Sequence, residues 1–178
     1  MSASNSKSKP NKLCCRYSAA TPDSKYLTGF DIVQPLVDIV SKNGNFLLDI
    51  GPKADGSIPA IMQQGLRDAG AWIKAHSESI FNTRYFRTTP GSNPFRLTTK
   101  LDAFYIHVIS RGGATVTVPN RIPYLPGDKI TVVGGSLAGT EVPVTSWTGN
   151  QITFAVSDAV WQADKYVWTF KVSYNSTW

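Results

Sequence analysis

The sequence predicts an α/β segment followed by an all-β domain: a helix–strand–helix piece of a βα-repeated architecture, then an antiparallel β-sandwich. Three observations carry this reading. Between residues 28 and 76, apolar residues recur at helical spacing on either side of one short, nearly continuous apolar run. From about Arg87 onward the texture changes to short runs of alternating character. Turn-forming residues punctuate those runs throughout.

The first helix opens at Thr28-Gly29-Phe30-Asp31, a capping box with Thr28 as N-cap and Asp31 at the third helical position. Ile32, Val33, Leu36, Val37, Ile39 and Val40 follow on one face, and Asn43-Gly44 supplies a C-terminal stop. Pro35 is the misfit. It removes a backbone donor and predicts a kink or a shifted helix start. Asn45-Phe46-Leu47-Leu48-Asp49-Ile50, ended by Gly51-Pro52, suits a strand buried on both faces, as in a parallel sheet. Pro59 then stands where the first residue of a second helix belongs. Ile61, Met62, Leu66, Ala69, Trp72 and Ile73 form that helix's apolar face, reaching about His76. One strand is not a sheet. At about 25 cal/mol per Å² of apolar surface, bare helix faces cost several kcal/mol. Residues 1–86 are therefore expected to be mobile or aggregation-prone while the sandwich folds.

Pro90-Gly91-Ser92-Asn93-Pro94 reads as a linker, placing a boundary near residue 86. Seven strand-like runs follow: 95–99, 103–109, 114–118, 129–133, 142–147, 151–156 and 166–174. Arg111-Gly112-Gly113, Pro126-Gly127-Asp128, Gly134-Gly135 and Gly149-Asn150 separate them, the pattern of a sandwich.

Composition narrows the function. The chain has 178 residues, 42% of them hydrophobic, and a net charge of +6. Lys7, Lys9, Lys12, Arg16 and Lys25 crowd the first 26 residues against Asp23 alone, so the folded parts show no basic stripe for nucleic acid. No apolar stretch is long enough to span a bilayer, and Met1–Pro10 lacks the apolar run of a secretory signal. Cys14 and Cys15 are adjacent; such neighbours bridge only through a strained ring, so free thiols are expected. With only His76 and His107 besides, no metal site is expected. His76 falls in a helix's last turn, where a cation suits the dipole. His107 alternates along a strand with Tyr105 and Ile109. Asp38, among Val37 and Ile39, reads as a solvated or helix-contacting carboxylate.

The run Tyr26–Gly29, the run Leu36–Pro52, then Asp55-Gly56-Ser57-Ile58-Pro59, Gly70–Lys74 and Glu78–Arg84 resemble, in order, the family 29 glycoside hydrolases, the α-L-fucosidases. The likeness is close over residues 17–86 and weaker across the sandwich. It implies a leader over 1–16, the end of a catalytic (β/α) barrel over 17–86 and a C-terminal β-sandwich domain over 87–178. It also implies retaining hydrolysis of terminal α-L-fucose from glycans, with neither metal nor cofactor. That chemistry needs two carboxyl groups about 5 Å apart, one nucleophile and one acid/base. The resemblance puts both upstream of the matching segment, and a whole barrel takes about 250 residues. No catalytic residue is therefore expected in this chain, which would be inactive alone.

Two substrate-binding candidates follow from the same likeness. The family usually reads Ser-Trp-Gly-Tyr or a close variant before this segment, its aromatic lining the sugar pocket. Here Cys14-Cys15-Arg16-Tyr17 occupies the place and only Tyr17 fits, which points to a truncated or misassembled chain. Asp49 lies near the end of the expected strand, at the face where such barrels hold their sites. The family often has Asn at this position, so a hydrogen-bonding anchor satisfies the need. The loop Gly51-Pro52-Lys53 with Asp55-Gly56 has a sufficient turn explanation and could border the pocket. The expected partner is a fucosylated glycan, with no nucleic acid or membrane. Family members are commonly secreted or lysosomal; oligomeric state is not legible. A second reading is a noncatalytic carbohydrate-binding module that uses Trp147, Trp161, Trp168 or Trp178 to stack on sugar rings, against the plainer role of filling the core. Asn175-Ser176-Thr177 matches the glycosylation pattern.

Overall fold

A computed structural model describes residues 21–86, 94–119 and 121–174. A 3₁₀ turn at Asp23–Lys25 leads into α1, Gly29–Val40. The capping box is formed as predicted: the Thr28 amide donates to Asp31 Oδ2 at 3.0 Å, and the Asp31 amide donates to Thr28 Oγ1 at 3.4 Å. Helix α1 runs through Pro35. It ends where Asn43 turns left-handed at φ +63° and the Gly44 amide reaches back to Ile39 O. Helix α2, Ala60–Ala75, starts one residue after Pro59, which is its N-cap. A single further turn, α3, covers Ser77–Ile80.

The helices cover one another and are not left bare. Ile32, Val33 and Val37 of α1 close on Ala69 and Trp72 of α2, with Ile80 of α3 and Val167 completing the cluster. Val167 comes from the far end of the chain, so the sandwich itself supplies part of the cover. The expectation of uncovered helix faces is corrected in this respect.

The stretch predicted as a buried strand is also different. Residues 44–53 hold no regular secondary structure, and Leu47 is 88% exposed. A strand exists only through a neighbour that pairs with it. Among the described residues, none of 45–52 makes a backbone–backbone hydrogen bond.

The rest is a two-layer antiparallel sandwich. Its first sheet has the order β1-β2-β3-β8-β5, from β1 (Arg84–Tyr85), β2 (Phe95–Thr99), β3 (Ala103–Val108), β5 (Lys129–Val133) and β8 (Trp168–Ser173). The second has the order β4-β7-β6, from β4 (Thr115–Val118), β6 (Val144–Trp147) and β7 (Ile152–Ala155). Each of the seven predicted runs contains one of β2–β8. Alternation does the work: in β4, Val116 and Val118 are buried while Thr115 and Thr117 face out. Leu97, Phe104, Ile106, Ile130, Ile152, Phe154, Phe170 and Val172 fill the space between the layers. A short helix α4, Asp158–Gln162, escaped the sequence reading; Ser157 caps it through the Val160 amide.

Candidate functional site

Tyr17, with Cys14 and Cys15, lies outside the described residues, as do Trp178 and Asn175. Asp49 is exposed on the irregular stretch, and its Oδ1 accepts a hydrogen bond from the neighbouring Ile50 amide at 2.8 Å. The loop 51–58 folds on itself: the Lys53 amide donates to Ser57 O, while the Ser57 amide and hydroxyl both donate to Asp55 Oδ1. These hydrogen bonds pull the Asp55 carboxyl below its usual range.

Glycosidase chemistry needs a facing pair of carboxyls, and most of the described carboxylates are engaged locally. Asp31 caps α1, Asp68 accepts from Gln64, Asp128 accepts from the Leu125 amide, and Glu141 pairs with Lys129 at 2.9 Å. Asp158 pairs with Arg111 at 2.6 Å. Burial pushes the Asp38 carboxyl up, but hydrogen bonds and charge from Lys42 and Arg96 outweigh it and the net shift is downward. An open groove of about 660 Å³ lies between Asn82, Arg84, Thr99, Lys100, Leu101 and Asp102. It holds one carboxylate, not two. Among the described residues no group of three His, Cys, Asp or Glu side chains could hold a metal. No helix there is long and apolar enough to cross a membrane.

The tryptophans divide. Trp161 is 2% exposed, edge-on to Trp168 at 5.1 Å and to Phe170 at 6.3 Å, so it is core. Trp168 packs on the same core, its indole N–H donating to Trp161 O. Trp147 is 39% exposed, with Tyr124 edge-on beside it at 6.0 Å.

The densest polar chemistry sits where the helices meet the first sheet, and single-residue reading missed it. Gln34 Nε2 donates to Ile109 O at 2.8 Å, and Arg96 binds Asp38. Glu78 takes Lys171 at 2.8 Å and the Tyr105 hydroxyl at 3.2 Å. Between these contacts lie both histidines. Thr98 Oγ1 donates to Ser79 O, so it must accept from His107 Nε2–H at 3.0 Å. His107 Nδ1 then accepts from the Thr169 hydroxyl at 3.0 Å. The geometry suits a neutral ring protonated on Nε2. Full burial, with a smaller effect from His76, agrees by pushing the His107 pKa down to about 3. The sequence hint was His107 among the apolar and aromatic residues of Ala103–Val108.

Residues 13–78 match the model of the α-L-fucosidase family, and the sequence and fold are similar to those of several of its members. It is 38% identical over 78 residues to plasma α-L-fucosidase of Homo sapiens, covering 44% of this chain and 17% of that protein. It superposes on α-L-fucosidase isoenzyme 1 from Paenibacillus thiaminolyticus with a TM-score of 0.71 and 27% identity, over 89% of this chain and 37% of the other. The α-fucosidase of Thermotoga maritima, solved with a mechanism-based inhibitor, gives a TM-score of 0.76 at 21% identity over 92% of this chain and 38% of that one; this likeness concerns fold alone. The chain thus spans about a sixth of the length of the human relative.

Proposed function

We propose that this chain is the C-terminal part of a retaining α-L-fucosidase, acting on a fucosylated glycan only as part of a larger catalytic unit. Residues 17–86 form the barrel's end and residues 87–178 the sandwich domain, with Arg84–Tyr85 already paired to the sandwich's first sheet. Nucleophile and acid/base are contributed by other polypeptide, and Tyr17 and Asp49 border or anchor the sugar site. The observation that carries this reading is that most of the described carboxylates are already bound to a cation, a backbone amide or a polar side chain. A retaining pair must stand about 5 Å apart across one sugar bond, and the groove beside Arg84 and Lys100 is lined by a single carboxylate, Asp102. The purified 178-residue protein is expected to release no 4-nitrophenol from 4-nitrophenyl α-L-fucoside above a blank. Turnover above the blank would overturn the proposal.

A second reading, a noncatalytic sugar-binding sandwich, is favoured by one observation: the half-open Trp147 ring beside Tyr124. On a glycan array, binding abolished by Trp147→Ala would establish it. Absence of binding to every glycan would dismiss it.

A further inference from the structure

His76 is fully buried at the end of α2, stacked on Trp72 with ring centroids 4.0 Å apart. Both its nitrogens face acceptors. Nδ1 lies 2.9 Å from Trp72 O, a carbonyl that can only accept. Nε2 lies 2.8 Å from Asp164 Oδ2, in the loop leading to β8. The second contact has the distance of an ion pair without the alignment of a good hydrogen bond, and both atoms lack any other partner. Gly134, at the end of β5, closes over the ring. The same seam carries the Trp72 indole N–H, which donates to Val167 O at 3.1 Å.

A neutral imidazole has one proton and cannot donate to two acceptors. Its bare lone pair would face a carboxylate oxygen in a site closed to water, where such opposition is costly. We propose that His76 carries a proton on each nitrogen and, paired with Asp164, forms a charged latch that holds the helical layer on the sandwich and slackens when the ring loses a proton. The other titratable groups around it are accounted for. His107, on β3, is kept neutral by full burial, with Thr98 and Thr169 as its hydrogen-bond partners. Glu78, two residues along in α3, is engaged by Lys171 and Tyr105. Lys165, beside Asp164, lies over the Tyr166 ring at 5.0 Å.

The test uses the Trp72 indole N–H as reporter, with its hydrogen exchange corrected for intrinsic rate and followed from pH 5 to pH 9 by NMR. Wild-type protein is expected to show imidazolium-type nitrogen shifts for His76 at the acidic end and to lose at least tenfold of that protection wherever those shifts give way to neutral-ring ones. Asp164→Asn offers an amide N–H₂ that donates to a neutral Nε2. It should fold, show a neutral His76 ring, and abolish the pH dependence. His107 should give neutral-ring shifts in both proteins. A neutral His76 ring across the whole range in wild-type protein would overturn the latch. So would an Asp164→Asn exchange profile that tracks wild type.

Discussion

Replacing Gly134 by alanine is expected to remove roughly 2–4 kcal/mol of stability. Two effects combine. Gly134 adopts φ +79°, a conformation that costs an L-residue about 1–2 kcal/mol. A Cβ there would also overlap Cε1, Nε2 and Nδ1 of the His76 ring, which is hemmed in by Trp72 and Asp164 and has nowhere to retreat. Gly139 separates the two effects. Its φ is +84°, yet a Cβ would meet nothing within 4 Å. Gly139→Ala should therefore show only the backbone part. Urea unfolding followed by tryptophan fluorescence reads both. Equal losses in the two variants would mean that the seam tolerates intrusion, against the close packing described above.

The second large effect is at Trp161. Truncation to alanine empties the centre of an aromatic cluster with Trp168 and Phe170, and a loss of about 3–5 kcal/mol is expected. Trp161→Phe keeps most of the ring but drops the indole N–H that donates to Gly113 O at 2.9 Å. That carbonyl belongs to exposed Gly113 and can turn to water, so the loss of this bond should cost about 0.5–1.5 kcal/mol. A phenylalanine variant as damaged as the alanine one would show that the hydrogen bond, not the ring's volume, holds α4 in place.

Most of the sandwich was readable because strand alternation and turn chemistry are local. Val116 and Val118 against Thr115 and Thr117 settle β4 without knowledge of any partner. The capping box of α1 was readable for the same reason. Helix α4 was missed since five residues carry no periodicity, although Ser157 was a visible cap. The stretch 45–50 was misread because an apolar run encodes a wish for burial and does not say who provides the cover. The candidate site was the least legible part. Tyr17 and Asp49 came from a family likeness, while the histidine seam depends on His76, His107, Thr98, Asp164 and Thr169 meeting across the whole chain. Each of these residues is unremarkable in its own sequence neighbourhood.

The open backbone of residues 45–50 has a colloidal consequence. Phe46, Leu47, Leu48 and Ile50 sit on a segment without proline whose amides and carbonyls join no ladder among the described residues; Phe46 and Leu48 rest on the helical cluster while Leu47 stands exposed. Such a segment is a template for its own kind. Crowded solutions of this chain should cloud or form fibrils from that edge, and a lysine in place of Leu47 would keep them clear.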